Sequence, residues 1–171
     1  LNRYARHVRN GEPMPAALVA KIAATDTFNQ GFATVEYLAS ALVDMRLHLA
    51  GRADIDPRAF ERDTLAALGM PREIVMRHRT PQFQHVRGGD GYAAGYYSYL
   101  WADAISADAW EAFTEAGGPY DRKVAQRLKD HVFAIGNTVD PASAYRAFRG
   151  RDPDSAALMR KRGFPVAAPT A

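Results

Sequence analysis

Thr27-Phe28-Asn29-Gln30-Gly31-Phe32-Ala33-Thr34-Val35-Glu36-Tyr37-Leu38-Ala39-Ser40-Ala41-Leu42-Val43-Asp44-Met45-Arg46-Leu47-His48-Leu49 is the stretch that decides the fold class. Phe28, Phe32, Val35, Leu38, Leu42, Met45 and Leu49 recur every three or four residues, the period of an amphipathic helix. Thr25, Asp26 and Thr27 offer N-cap oxygens, and Gly51 stands where a C-cap glycine belongs. The spacing predicts a long helix from Thr27 to Leu49 with one apolar stripe. Gly31 lowers the stability of such a helix and signals close packing or a kink.

The same punctuation runs outward in both directions. Upstream, Pro13 and Pro15 start a short alanine-rich helix through Ala24, and Asn2 to Val8 reads as the end of an earlier helix. Downstream, Asp56-Pro57 caps and opens a helix to Leu68, closed by Gly69. Pro71 opens a short helix ending near Arg77. Arg79 to Gly91 is expected as loop, because Pro81 and three glycines oppose a stable helix. Further helices are expected over Tyr92–Ala104, Ala107–Ala116 and Asp121–Ile135. Asp140-Pro141 caps a helix through Phe148. Asp152-Pro153 caps the last one, which ends at Gly163 with Arg160, Lys161 and Arg162 in its final turn. The tail from Pro165 to Ala171 is expected to fray. No alternating strand pattern interrupts this series, so the fold class is all-α.

Composition narrows the function. The chain has 171 residues, 47% hydrophobic and 24% charged, an ordinary balance for a globular domain with a sizeable core. It has no cysteine, which excludes thiolate metal or redox chemistry and fits a reducing, cytoplasmic setting. No apolar run is long enough to span a bilayer. A net charge of +3, spread among many acids, gives little support to a nucleic-acid partner. The basic residues Arg146, Arg149, Arg151, Arg160, Lys161 and Arg162 interleave with Asp140, Asp152 and Asp154 and read as a solvated helix face. The histidines are His7, His48, His78, His85 and His131. None forms an HExxH and no pair has ligand spacing, so no metal site is expected within these residues.

The chemistry concentrates in His85-Val86-Arg87-Gly88-Gly89-Asp90-Gly91-Tyr92-Ala93-Ala94-Gly95-Tyr96-Tyr97-Ser98-Tyr99-Leu100-Trp101. Here a histidine leads a glycine-rich loop into a run of tyrosines. Tyrosine hydroxyls are neutral donors at pH 7, suited to developing negative charge. On a helix, Tyr92, Tyr96 and Tyr99 share a face, with Tyr92 and Tyr99 two turns or roughly 10 Å apart. Tyr97 and Trp101 fall on the adjacent face as natural core residues.

This segment resembles the C-terminal region of the M3 zinc metallopeptidases, the family of thimet oligopeptidase, oligopeptidase A and the peptidyl-dipeptidases. Thr27–Thr34 with Glu36-Tyr37-Leu38-Ala39, Arg146–Arg151 and Lys161–Phe164 extend the resemblance over essentially all 171 residues. It implies the C-terminal helical part of a two-lobed, zincin-like fold around a channel, and a C-terminal piece of a longer polypeptide. The implied activity is hydrolysis of short peptides, on the peptidyl-dipeptidase side. The implied cofactor is zinc, held by HExxH and a further glutamate upstream of the matching residues; the fragment alone would be inactive. Tyr92 and Tyr99 match the family's tyrosines at the scissile carbonyl. His85 matches its peptide-contacting histidine. Gly88, Gly89 and Gly91 would let the loop close, and Tyr96 would join the substrate contacts. Arg87 stands where the family often has an aromatic or small residue, which bears on specificity. Implied partners are short peptides and the upstream half of the same protein, with no nucleic acid and no membrane. An apolar stripe that packs on that upstream half would be left exposed here. A non-catalytic helical peptide-binding module is the alternative.

Overall fold

The computed structural model describes Leu1 and residues 3–166; the tail from 167 to 171, with its expected fraying, lies outside the described residues. Those residues form helices joined by turns, with one isolated antiparallel bridge between Arg6 and Pro13 and no strand. The stretch expected as a helix end is this bridged turn. His7 donates its N–H to Glu12 and Met14 donates to Ala5 across it, and Gly11 reverses the chain at φ +71°.

Helix α1 is Ala16–Thr25 and α2 is Gln30–Leu49. They are separate because Asn29 adopts a left-handed φ of 57°, a conformation asparagine tolerates better than most residues. The Thr25 hydroxyl donates back to the Ile22 carbonyl, so it ends α1 instead of capping α2. A side chain at Gly31 would meet nothing within 4 Å, so no close packing requires that glycine. The apolar stripe faces outward, with Phe28, Phe32, Val35, Leu38, Leu42 and Leu49 all exposed. The buried face of α2 carries Ala39, Ser40, Ala41, Val43 and Asp44.

Helix α3, Pro57–Ala67, starts as its sequence dictates. The Asp56 carboxylate accepts the N–H groups of Arg58 and Ala59 at 2.8 and 2.9 Å, and Pro57 occupies the first turn, where an N–H has no partner to lose. Leu65 joins Ala39, Val43 and Met76 in a first core, flanked by Phe60 and Met70. Residues 71–79 form no helix. Met76 enters that core, and the buried Glu61 carboxylate holds both Arg79 and the Thr80 N–H; these anchors hold the segment in turns and bends rather than a helix. The loop expected over 79–91 contains a 3-10 turn, Thr80–Gln82, and a single turn α4, Gln84–Arg87.

Helix α5, Ser98–Glu115, is the spine of the remainder. It begins six residues later than the expected Tyr92 and runs unbroken through Ala104–Ala107. Helix α6, Arg122–Leu128, is capped by Asp121 and passes into a π-helical turn, Lys129–Phe133. Helix α7, Pro141–Arg149, lies between an Asp140 cap and Gly150 at φ 84°. Helix α8, Ser155–Lys161, is capped by Asp154 and not by the expected Asp152. Asp152 pairs with Arg146 at 2.7 Å instead. One core unites Ala112, Phe113, Val124 and Phe148; another unites Ala107, Ala157 and Leu158. Trp101 and Tyr97, expected in the core, are 62% and 53% exposed.

The basic C-terminal residues are not a loosely solvated face. Each of the six is ion-paired: Arg146 with Asp152, Arg149 and Arg151 with Asp108, Arg160 with Glu111, and Lys161 and Arg162 with Asp103. Arg149 also makes two bonds to Glu115. Asp108 is 0% exposed and accepts the Tyr145 hydroxyl at 2.6 Å. These pairs fasten α7 and α8 to α5. Arg162 also donates to the Thr34 hydroxyl at 2.7 Å, tying the C-terminal helices to α2.

Candidate functional site

The tyrosine run meets α2 and the Phe83–His85 turn at one place. Tyr92 to Tyr97 is a succession of turns rather than the first turns of a helix. Ala94 takes a left-handed φ of 55°, and Gly95 donates to the Tyr92 carbonyl at 3.0 Å. A Cβ at Gly95 would lie 3.2 Å from that same carbonyl oxygen, so the close turn favours glycine there. The regular helical face and its two-turn separation of Tyr92 from Tyr99 are therefore not formed.

The side chains converge all the same. His85 Nε2 lies 2.9 Å from the Tyr99 hydroxyl. The His85 ring is 4.5 Å from the Tyr92 ring and 5.7 Å from that of Tyr99. Tyr96 packs edge-on to Tyr99 at 5.8 Å and to Phe83 at 4.8 Å. An open cleft of about 660 Å³ is lined by Tyr37, His78, Gln82, Phe83, Gln84, His85, Tyr96 and Tyr99. Tyr92 stands beside it, against His85. Partial burial, and then the neighbouring Tyr92 phenol, push the Tyr99 hydroxyl above the ordinary phenol value. Burial, and then Tyr96, do the same to Tyr37. Both are neutral donors throughout the physiological range.

The three loop glycines differ. A Cβ at Gly88 would stand 3.0 Å from the Gln84 carbonyl oxygen, so the tight end of α4 favours glycine there. Gly89 and Gly91 face open space and make no such demand.

Tyr37, His78, Phe83 and Asp44 contribute to the site without having been assigned to it from the sequence. Tyr37 stacks on Tyr96 at 4.8 Å, and its hydroxyl donates to the Tyr96 carbonyl. His78 stacks on Phe83 at 5.0 Å. Asp44, buried on α2, accepts the N–H groups of Ala94 and Tyr96 at 3.2 and 3.1 Å. The available signal was the helical register Tyr37, Ser40, Asp44, His48, a polar line on a helix otherwise read for its apolar stripe.

Zinc does not fit the residues present. His78 and His85 both stack on Phe83, but no three His, Asp or Glu side chains stand close enough to hold a metal among the described residues. No helix of the described residues is long and apolar enough to cross a membrane.

Comparison with known proteins gives the family of the chain. The family model "Peptidase family M3" matches residues 1–164. Dipeptidyl carboxypeptidase of Salmonella typhimurium is 41% identical over 166 residues, 95% of this chain and 24% of the relative. The Escherichia coli protein of that name is 36% identical, over 96% of this chain and 24% of its own length. Oligopeptidase A of Escherichia coli is 35% identical, over 92% of this chain and 23% of its own. The chain thus spans about a quarter of the length of these relatives. With the match running almost end to end along this all-helical chain, it belongs to peptidase family M3.

Proposed function

We propose that this chain forms the substrate-facing helical wall of a zinc peptidase of short peptides, with peptidyl-dipeptidase activity, and that its tyrosines serve the scissile carbonyl. The carrying observation is the 2.9 Å contact of His85 Nε2 with the Tyr99 hydroxyl at the edge of an open cleft. Membership of the family and the dipeptidyl carboxypeptidase relative at 41% identity support it.

The chemistry follows from the phenol. A phenol has one hydrogen to donate. When His85 Nε2 carries a proton and donates to Tyr99, the Tyr99 hydrogen is free for an oxyanion. When Nε2 is bare, Tyr99 donates to His85 instead. His85 therefore sets which way the hydroxyl faces, and Tyr92, packed on the other ring contact, is the second donor. Such a donor acts because it is already oriented where charge develops. Tyr96 offers flat apolar surface to a peptide, backed by the buried Phe83 ring, and the 84–91 loop with Gly88, Gly89 and Gly91 borders its path. Zinc and its ligands belong to residues outside this chain, in the remainder of a longer cytoplasmic polypeptide. That remainder also covers the exposed stripe of α2.

The test is Tyr99→Phe and Tyr92→Phe in a polypeptide that joins this chain to an HExxH-bearing upstream segment. Loss of one oxyanion donor lowers kcat by about 10²–10³, with KM changed by less than about threefold. An unchanged kcat in both variants overturns the proposal. A non-catalytic peptide-binding module gives the opposite pattern: weaker peptide binding and no turnover in the parent.

A further inference from the structure

We infer that Asp44 is a positioning residue for the tyrosine cluster, holding the Ala94–Tyr96 turn through its backbone and so fixing where Tyr96 and Tyr99 stand. Its bearing on turnover rests on the function proposed above; its hold on the turn does not.

Aspartate is a poor residue for a helix interior, and a buried carboxylate is unfavourable unless its oxygens are occupied. Asp44 sits well inside α2 with its side chain 1% exposed. Each of its oxygens has a partner. One accepts the Ala94 N–H and the other the Tyr96 N–H, from a segment 50 and 52 positions away. His48 completes the set. Its Nδ1 lies 2.8 Å from the Asp44 carbonyl oxygen and 3.0 Å from the carboxylate. Both atoms are acceptors, so the Nδ1 proton lies between them, and the ring braces the carboxylate from its own helix.

The held segment is one that would not keep its shape unaided. Ala94 is in the left-handed region at φ 55°, which is unfavourable for a residue with a Cβ. Two N–H groups converging on one carboxylate offset that cost. Tyr96 is gripped at both backbone ends. Asp44 takes its N–H, and the Tyr37 hydroxyl donates to its C=O. Tyr37 also stacks on its ring. Both grips come from one helix, and α5 begins two residues after Tyr96. Tyr99 lies in the first turn of α5, with its hydroxyl on His85. Asp44 thus reaches the reacting groups only through backbone, which is why it touches no substrate surface.

The experiment uses the full-length polypeptide with a short internally quenched fluorogenic peptide as substrate. Asp44→Asn keeps the shape but puts an NH₂ where an acceptor stood. Misplacement of a reacting group by about 1 Å costs about 10²-fold in rate. The expected result is a kcat loss of about 10- to 100-fold, KM within about threefold and bound zinc unchanged. Hydrogen exchange over residues 92–97 should accelerate by about tenfold or more. Adding Tyr99→Phe should then lower kcat by no more than about threefold below Tyr99→Phe alone, because both changes disable one device. Independent, multiplying losses would overturn the inference, as would unchanged exchange over 92–97. If Asp44→Asn does not fold, Asp44→Glu keeps the charge but displaces it by about one C–C bond, roughly 1.5 Å; the same exchange and kcat signature is expected. If Tyr99→Phe itself leaves kcat intact, the oxyanion role falls, and exchange over 92–97 alone then decides whether Asp44 holds the turn.

Discussion

Removing Asp108 tests what joins the C-terminal helices. Asp108 lies on α5 with no exposed surface. It accepts the Tyr145 hydroxyl at 2.6 Å and Arg151 Nη2 at 2.5 Å, and it lies 3.5 Å from Arg149 Nε. Arg149 is itself only 7% exposed, and its Nε makes no hydrogen bond. Asp108→Ala leaves that cation without its buried counter-charge. Breaking a buried pair from one side costs about 3–5 kcal/mol, mostly because of the charge left behind. Two features place this case at the lower end. Arg149 keeps its two bonds to Glu115, at 2.7 and 2.5 Å, and Arg151 is 41% exposed and returns to water. The expected loss is therefore about 3 kcal/mol.

Glu111→Ala is the matched control, because its partner Arg160 is half exposed. Pairs of that kind contribute about 1 kcal/mol or less. In urea unfolding followed by circular dichroism, with a slope of about 2 kcal/mol/M, Asp108→Ala should lower the midpoint by about 1.5 M. Glu111→Ala should lower it by about 0.5 M or less. Adding Arg149→Met to Asp108→Ala removes the stranded cation and should recover part of the loss. Equal midpoint shifts for Asp108→Ala and Glu111→Ala would refute the reasoning, since burial would then have made no difference.

Two further outcomes concern the whole chain. Arg149 holds the Glu115 carboxyl below the ordinary carboxylate range; for Asp103, burial pushes upward, but the bonds to Lys161 and Arg162 outweigh it. These depressed groups contribute stability above the ordinary carboxylate range that is lost as pH falls through their folded values, below about pH 4. Burial and the Asp108 carboxylate push the Tyr145 phenol upward, so its contribution persists to about pH 10 and is lost above it. Melting temperature against pH should accordingly fall at both ends, and a decline beginning near pH 6 would contradict this assignment. Gly163→Ala should destabilise more than Gly51→Ala. Both positions have positive φ, 76° and 64°, so both incur about 1–2 kcal/mol of left-handed strain. Only at Gly163 would the new Cβ also lie 2.9 Å from the Thr27 methyl, whereas at Gly51 it meets nothing. Equal melting temperatures for the two variants would show that Thr27 yields without cost.

What the sequence makes legible here is what is satisfied locally. Asp56-Pro57 with Gly69, and Asp140-Pro141 with Gly150, bound α3 and α7 because cap, first-turn proline and closing glycine act within the helix they bound. Where a distant partner competes, the local signal loses. Asp152 before Pro153 is the cap the sequence suggests, but Arg146 engages it and Asp154 caps α8 instead. Residues 71–77 carry a helix-opening proline, but Met76 in the first core and Arg79 on Glu61 hold the chain out of a helix. The residue types of the tyrosine run point to a cluster with His85, which forms, but not to its shape, for the same reason. Its residue types and spacing suggest a helical face, while its actual form depends on a carboxylate half a hundred residues upstream.

Helix α2 joins these observations. Its period was plain, but a period says that a face is apolar and not what covers it. The large apolar residues point outward, and Ala39, Ser40, Ala41 and Val43 point inward. The small buried residues Ser40 and Ala41 lie in sequence between Tyr37 and Asp44, the two residues of α2 that reach the backbone of 94–96. The outward stripe and the inward grip are two uses of one helix. If the stripe packs on the remainder of the proposed enzyme, α2 is also the element that carries the position of that remainder to the tyrosines. Asp44 and Tyr37 are the contacts through which α2 reaches the backbone of the tyrosine turn.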